Sequence, residues 1–232
     1  MGVMQGLRGP RRAGHSLPVE HLSALSLPMG DDGVVVGSDA EGRPQLVSLC
    51  HPSPYEVLLI GSLWTAEVLA LRAAATGMRV AVETGRADQW TNLIRAAGVG
   101  QQGMTLHEVG RVPALGPTAV SPVLVVRDCG TRPPRGQVAA GSWQSLLTLV
   151  PYLSPAAARL LRRASLVGVQ RVAPEEAQEL GRTMQLAPRD VEALPTLGDG
   201  VTLWCTRRGG RYAATYPTDA ESGLLGNPRR LD

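Results

Sequence analysis

The chain contains no lysine, so all 23 of its basic residues are arginines, and it contains no phenylalanine. Without lysine there can be no phosphate-loop lysine, no Schiff-base lysine and no lysine general base. Aromatic residues make up 3% and the formal net charge is only +3. That is too little stacking surface and charge for a dedicated nucleic-acid face. The arginines are scattered (Arg8, Arg11-Arg12, Arg162-Arg163, Arg207-Arg208, Arg229-Arg230), which leaves at most a weak attraction to acidic lipid headgroups. Cysteines are few and odd in number: Cys50, Cys129 and Cys205 lie far apart. Neither they nor His15, His21, His51 and His107 have metal-ligand spacing, so three buried, reduced thiols and no metal are expected. No apolar run approaches the roughly 18 residues of a membrane span. The opening MGVMQGLRGPRRAGH lacks the apolar core of a secretory signal, and Gly6 stands where myristoylation wants Ser or Thr. A cytoplasmic protein is expected. Arg, Ala, Gly and Pro share GC-rich codons while Lys and Phe do not, so the composition points to a GC-rich, actinobacterium-like genome.

What is present is an ordinary globular interior. Hydrophobic residues make up 44% of 232 positions and charged residues 19%, enough for a sizeable core. Residues 1–30 are rich in Gly, Pro and Arg and read as a flexible tail, with a helical turn around Val19–Leu25. GVVVGSD and PQLVSLC flank a turn at Gly42 and read as a hairpin. EVLLIGS is a continuous apolar strand, Leu63–Thr76 has helical spacing and Gly77 caps it. MRVAVET, then the helix RADQWTNLIRAAG, the short MTLHEV and the buried SPVLVVRDCG continue the alternation. TRPPRGQ reads as a loop, and SWQSLLTLVPYL fits strand and helix equally. SPAAARLLRRA is helical, SLVGVQR a strand, and APEEAQELGRTMQL a helix opened by Pro174. VTLWCTRRGGRYAATYP reads as a closing hairpin around Arg208-Gly209-Gly210. The expectation is a single α/β domain over 31–226, a Rossmann-like three-layer sandwich whose mostly parallel sheet has an antiparallel hairpin edge, with a tail at 227–232.

The junction IGSLWTAE has the layout of a phosphate-binding turn, a strand running straight into a helix. Gly61 is its only glycine, no lysine follows, and Leu63 and Trp64 crowd the space, so both the Walker and the dinucleotide patterns fail. An anion on the N–H groups of Ser62 to Thr65 is what the junction still allows. Glu83 stands about twenty residues beyond the glycine, where a Rossmann acid meets a ribose. Any βαβ unit gives that spacing, and the residue reads as a strand-end group in contact with Arg86. VLVVRDCG resembles the strand that carries a magnesium-holding Asp, but Asp128 has no phosphate loop to work with. No nucleophile elbow or acidic cluster is present, so no catalytic residue and no metal or cofactor is expected. The candidate ligand residues, all at strand ends, are Gly61, Ser62, Glu83, Thr84, Arg86 and Asp128. Trp64, Trp90, Trp143 and Trp204 read as core anchors in a chain without phenylalanine.

One group of motifs resembles a known family. The hairpin G-x-D-x-x-G-R-P (Gly37, Asp39, Gly42, Arg43, Pro44) precedes LLIGSLWTAEVLALRAAATG. A strand ending VETGRADQW follows, and TYPTDAESGLLG stands near the C-terminus. Together they resemble the cytosolic domain of EccE, a component of actinobacterial type VII (ESX) secretion machines. The matching positions include Leu71, Arg72, Ala73, Ala75, Gly77, Val82, Thr84, Arg86 and Trp90, within residues 33–95 and 212–226. The resemblance implies a Rossmann-like domain that packs against other secretion subunits without catalysis. Members of that family carry N-terminal transmembrane helices and this chain shows none, so a form held at the inner membrane only through partners is expected. RRASLVGVQRVAPEEAQELGR and the closing hairpin resemble, more weakly, phosphate-loop-less relatives of FtsK-type secretion and conjugation ATPases. The resulting expectation is a non-catalytic scaffold or adaptor of a type VII-like secretion apparatus, its partners protein subunits. The alternative is a small-molecule or nucleotide-binding α/β enzyme that uses the strand-end crevice.

Overall fold

The computed structural model describes residues 33–98, 103–131, 138, 141–154 and 157–228. The expected tail and its helical turn, most of the TRPPRGQ loop, and 229–232 lie outside the described residues. The described residues belong to one compact unit. Its elements in chain order are β1 (Val34–Ser38), β2 (Pro44–Val47), β3 (Tyr55–Ile60), α1 (Leu63–Ala75), β4 (Arg79–Thr84), α2 (Ala87–Ala96) and β5 (Met104–His107). Then come β6 (Val123–Asp128), β7 (Gln144–Val150), α3 (Ala157–Arg163), β8 (Leu166–Val169), α4 (Pro174–Met184) and α5 (Pro188–Ala193). A 3-10 turn at Leu194–Thr196 leads to β9 (Val201–Thr206), β10 (Gly209–Ala214) and α6 (Asp219–Leu225). All ten strands join one sheet, in the order β2-β1-β10-β9-β8-β3-β7-β6-β4-β5. From β5 to β8 the strands are parallel. Beyond β8, four strands continue the sheet antiparallel. The two hairpins expected separately therefore form one edge, joined where Ser38 of β1 faces Ala214 of β10.

The layering follows from strand alternation. Val57 and Leu59 of β3 face α1 and pack on Leu63, Ala66 and Leu69. Leu58 and Ile60 point the other way, onto Leu161 of α3 and Leu180 and Met184 of α4. Helices on both faces require strands that are apolar throughout, and β7 is buried at every position. That is why SWQSLLTLVPYL shows neither a two-residue nor a helical period. Helix α1 is itself buried from Leu63 through Ala70. Leu63 and Trp64 thus fill core volume rather than overhang a ligand.

Two segments differ from expectation. The turn of the β9–β10 hairpin is Arg207-Arg208, with Gly209 and Gly210 already in β10. The second is TYPTDAESGLLG, which contains a short helix that no sequence period announces: Thr218 caps α6, and Glu221 reaches back to the Thr218 N–H at 2.8 Å. The cysteines also differ, since Cys205 is buried while Cys50 and Cys129 are half-buried. Trp64, Trp90 and Trp204 are core residues, and Trp143 is only partly buried.

The motif residues of the hairpin and of α6 serve as structural ties. Asp39 accepts from the Glu41 and Arg43 N–H groups, from Arg43 Nε and from Gln45 Nε2. Arg72 of α1 grips Glu221 through Nε at 2.7 Å and Nη2 at 2.8 Å. The same guanidinium donates to the Val35 and Tyr216 carbonyls. Trp64 Nε1 donates to the Gly226 carbonyl at 3.0 Å. The Arg of LRAAATG thus exists to hold the Glu of TDAESG. Burial works to raise the Glu221 pKa, but the hydrogen bonds from Arg72 and Thr218 outweigh it and hold the carboxyl below the ordinary glutamate range. A depressed folded-state pKa stabilises the fold above the ordinary value, and that stability is lost as pH falls through the folded value. Acid titration of stability is expected to show this loss in the wild type, and a flatter acid limb in Arg72→Ala, measured by urea unfolding between neutral and acid pH.

Candidate functional site

In an open α/β sheet, ligands sit beyond the carboxyl ends of the parallel strands, where successive helices leave on opposite faces. Here α1 leaves β3 on one face and α3 leaves β7 on the other, and β3 and β7 are neighbours. The strand ends are level: Ile60 pairs with Val150 and with Val169, and Thr84 with Asp128. All six sequence-derived candidates fall on this rim. The pleat then sorts them into three separate arrangements.

The first surrounds the start of α1. Only Gly61 and Ser62 separate β3 from the helix, too short a connection to wrap a phosphate. Ser62 is the helix cap, accepting from the Thr65 N–H at 3.3 Å. Its own N–H donates to Gln170 Oε1 at 2.7 Å. Gln170 follows β8, and its Nε2 donates to Thr65 Oγ1 at 2.7 Å. Ser62 and Thr65 also share a hydroxyl hydrogen bond at 3.1 Å. Both hydroxyl residues and Gln170 are 2% exposed, so water does not reach them. A Cβ on Gly61 would come within 2.6 Å of Gln170 Oε1. Glycine stands here to admit a side chain of this protein, in the place where a phosphate loop admits phosphate.

The second arrangement is a carboxylate cage. Asp128 ends β6 with 0% exposure. Its oxygens accept from Thr84 Oγ1 at 3.0 Å, Trp90 Nε1 at 2.9 Å, Arg86 Nη2 at 2.9 Å and Arg86 Nε at 3.1 Å. A carboxylate offers about four acceptor sites, and four donors fill them. The guanidinium supplies the charge that a magnesium ion supplies to a strand-end Asp in phosphoryl-transfer sites. A cation here would have to displace Arg86 and stay beside it.

Glu83 forms the third. Being one residue before Thr84, it faces the opposite side of β4 and pairs with Arg127, which precedes Asp128 on β6. The Arg127 Nε to Glu83 Oε2 distance is 2.5 Å, and the Gly110 N–H donates to Glu83 Oε1 at 2.7 Å. The expected Glu83–Arg86 contact is therefore replaced by two pairs, Glu83–Arg127 and Arg86–Asp128. Cys129 follows Asp128, and burial, aided by the charge of Glu83, pushes its thiol up to about 12. It is no thiolate nucleophile at neutral pH. Among the described residues no group of acidic, histidine and cysteine side chains has the arrangement of a metal site.

Gln170, Arg127 and Trp90 complete these arrangements, and sequence patterns gave Gln170 and Arg127 no weight. Gln170 lies 108 positions from Ser62, so no local spacing could connect them. Trp90 is more than the core anchor its sequence suggests, since its indole N–H is a fourth donor on Asp128.

No protein-family model matches the sequence, and no curated protein sequence matches it. Among solved structures, VirB4 of Thermoanaerobacter pseudethanolicus superposes with a TM-score of 0.55 at 10% identity, over 83% of this chain and 98% of that one. The genome packaging NTPase B204 of Sulfolobus turreted icosahedral virus 2, bound to AMPPCP, gives a TM-score of 0.48 at 8% identity over 72% and 99%. The VirB4 likeness shows a shared fold: a mostly parallel mixed sheet layered by helices. The alternative raised by the sequence is a nucleotide bound in the strand-end crevice. The residues present do not fit one at the start of α1, because Gln170 fills the position and no lysine or second glycine replaces it. No helix among the described residues is long and apolar enough to cross a membrane.

Proposed function

We propose that this chain is a non-hydrolysing structural subunit of a protein-secretion assembly, built on a motor-type α/β fold. The observation that carries the reading is the filled strand rim: Gln170 caps the α1 start, and Arg86, Thr84 and Trp90 consume the acceptor capacity of Asp128. Groups so fully paired have no capacity left for a phosphate or a metal. The secretion setting is supported by the fold shared with VirB4. The EccE-like motif residues support the narrower type VII setting. Their physical roles are now specific: Thr84, Arg86 and Trp90 hold Asp128, and Arg72 holds the C-terminal helix. The partners are then other protein subunits, and any membrane association runs through them. The domain in this reading spans 31–226.

Two measurements test it together. Thermal unfolding with magnesium and ATP is expected to show no stabilisation up to about 5 mM, since any binding to the folded state raises stability by mass action. Affinity capture from the source organism is expected to recover secretion subunits. A clear ATP-dependent shift, lost when Ser62 or Asp128 is replaced, would overturn the reading in favour of a nucleotide-binding protein that uses this crevice.

A further inference from the structure

A cavity lies at the other end of the strands, by the amino ends of β3 and β8 and the β9–β10 turn. Its volume is about 480 Å³, within the range of about 300–1,000 Å³ typical of small-molecule sites and more than a bare phosphate fills. No acidic residue lines it, while Arg208, Arg211, His51 and the hydroxyls of Ser48, Tyr55 and Thr206 do. Arg208 and Arg211 form no ion pair among the described residues, and the only side-chain partner of Arg211 there is Gln45 at 3.4 Å. Two arginines converging on a cavity without a carboxylate leave the local charge uncompensated. The guanidinium fork matches carboxylate and phosphate geometry.

Two further features belong to the same cavity. His51 and Tyr55 stack with ring centroids 3.8 Å apart and give it a flat aromatic wall. Trp204 also lines it and is 4% exposed. Its Nε1–H is buried and has no acceptor among the described residues. The indole ring lies against Gly168, where a Cβ would come within 2.7 Å of it, so the ring cannot shift toward β8 to find a partner. A buried donor without an acceptor calls for a group the chain itself does not supply.

We infer that this cavity binds a small organic anion with a flat ring: its carboxylate or phosphate meets Arg208 and Arg211, its ring lies along the His51–Tyr55 wall, and an acceptor atom receives Trp204 Nε1–H. The inference does not depend on the function proposed above, since the cavity shares no residue with the strand rim.

The test is indole N–H spectroscopy of the ¹⁵N-labelled full chain, with the Trp204 signal assigned by its absence in Trp204→Phe. Adenosine monophosphate and indole-3-acetate serve as flat-ringed anions, and inorganic phosphate as the ringless control. At least one of the ringed anions is expected to move the Trp204 signal, and to bind at least about tenfold more weakly once R208E and R211E are combined. Both arginines are exposed, so that variant is expected to keep the other indole signals in place. Phosphate is expected to bind at least about tenfold more weakly than the better ringed anion. The inference is overturned if neither ringed anion moves the Trp204 signal at about 10 mM, if the shift survives the double substitution, or if phosphate binds equally well.

Discussion

Replacing Arg86 by alanine is expected to lower the unfolding free energy by about 3–5 kcal/mol, the usual cost of stranding one member of a buried ion pair. Asp128 is wholly buried, while the Arg86 side chain remains 35% exposed. The two sides of the pair are therefore not equivalent. Removing the arginine leaves a carboxylate in the interior with only Thr84 and Trp90 as side-chain donors. Removing the carboxylate charge, as in Asp128→Asn, leaves a guanidinium that already touches water and can turn outward. The asparagine carbonyl can still accept from one or two of the donors, so D128N is expected to cost about 1–3 kcal/mol. Urea unfolding of the two variants checks the order, R86A below D128N below wild type. An R86A protein within about 1 kcal/mol of wild type would mean that Asp128 finds another charged donor, and the rim would no longer count as closed by Arg86.

The same two pairs show how far a sequence carries. The alternation from β3 through α2 was legible because its strands are short apolar runs and α2 is amphipathic, signals confined to a dozen residues. Glu83, Thr84, Arg86 and Asp128 were also legible as strand-end polar groups. Their pairing was not. It follows from the pleat, which puts Glu83 and Thr84 on opposite faces, and from β6 lying beside β4. That adjacency has no local signal, because β5 intervenes in the chain and sits on the outer edge. Once β4 and β6 are neighbours with Thr84 opposite Asp128, Glu83 has to meet Arg127. Helix α6 escaped for a different reason: Ser222 and Gly223 weaken its intrinsic propensity, and what secures it is tertiary, the Arg72–Glu221 pair and the Thr218 cap. The motif residues Arg72 and Arg86, in LRAAATG and VETGR, thus each make a long-range tie.

Gln170→Ala is expected to cost about 2–4 kcal/mol, from the space left behind and from polar groups that lose their partners. The Ser62 N–H would lose its acceptor and Thr65 Oγ1 its strongest donor, in a region that water does not reach. The more informative result concerns anions. An N–H at the start of a helix is an anion site wherever there is room, and the truncation makes that room at Gly61-Ser62. Sulfate at about 50 mM is therefore expected to raise the melting temperature of Q170A more than that of wild type at matched ionic strength. Equal shifts in both proteins would place the sulfate elsewhere and leave Gln170 without a blocking role. A selective gain would tie the closure of the helix start to one amide side chain. The helix start would then be held from within by Gln170, at the position where a phosphate-binding turn receives its anion.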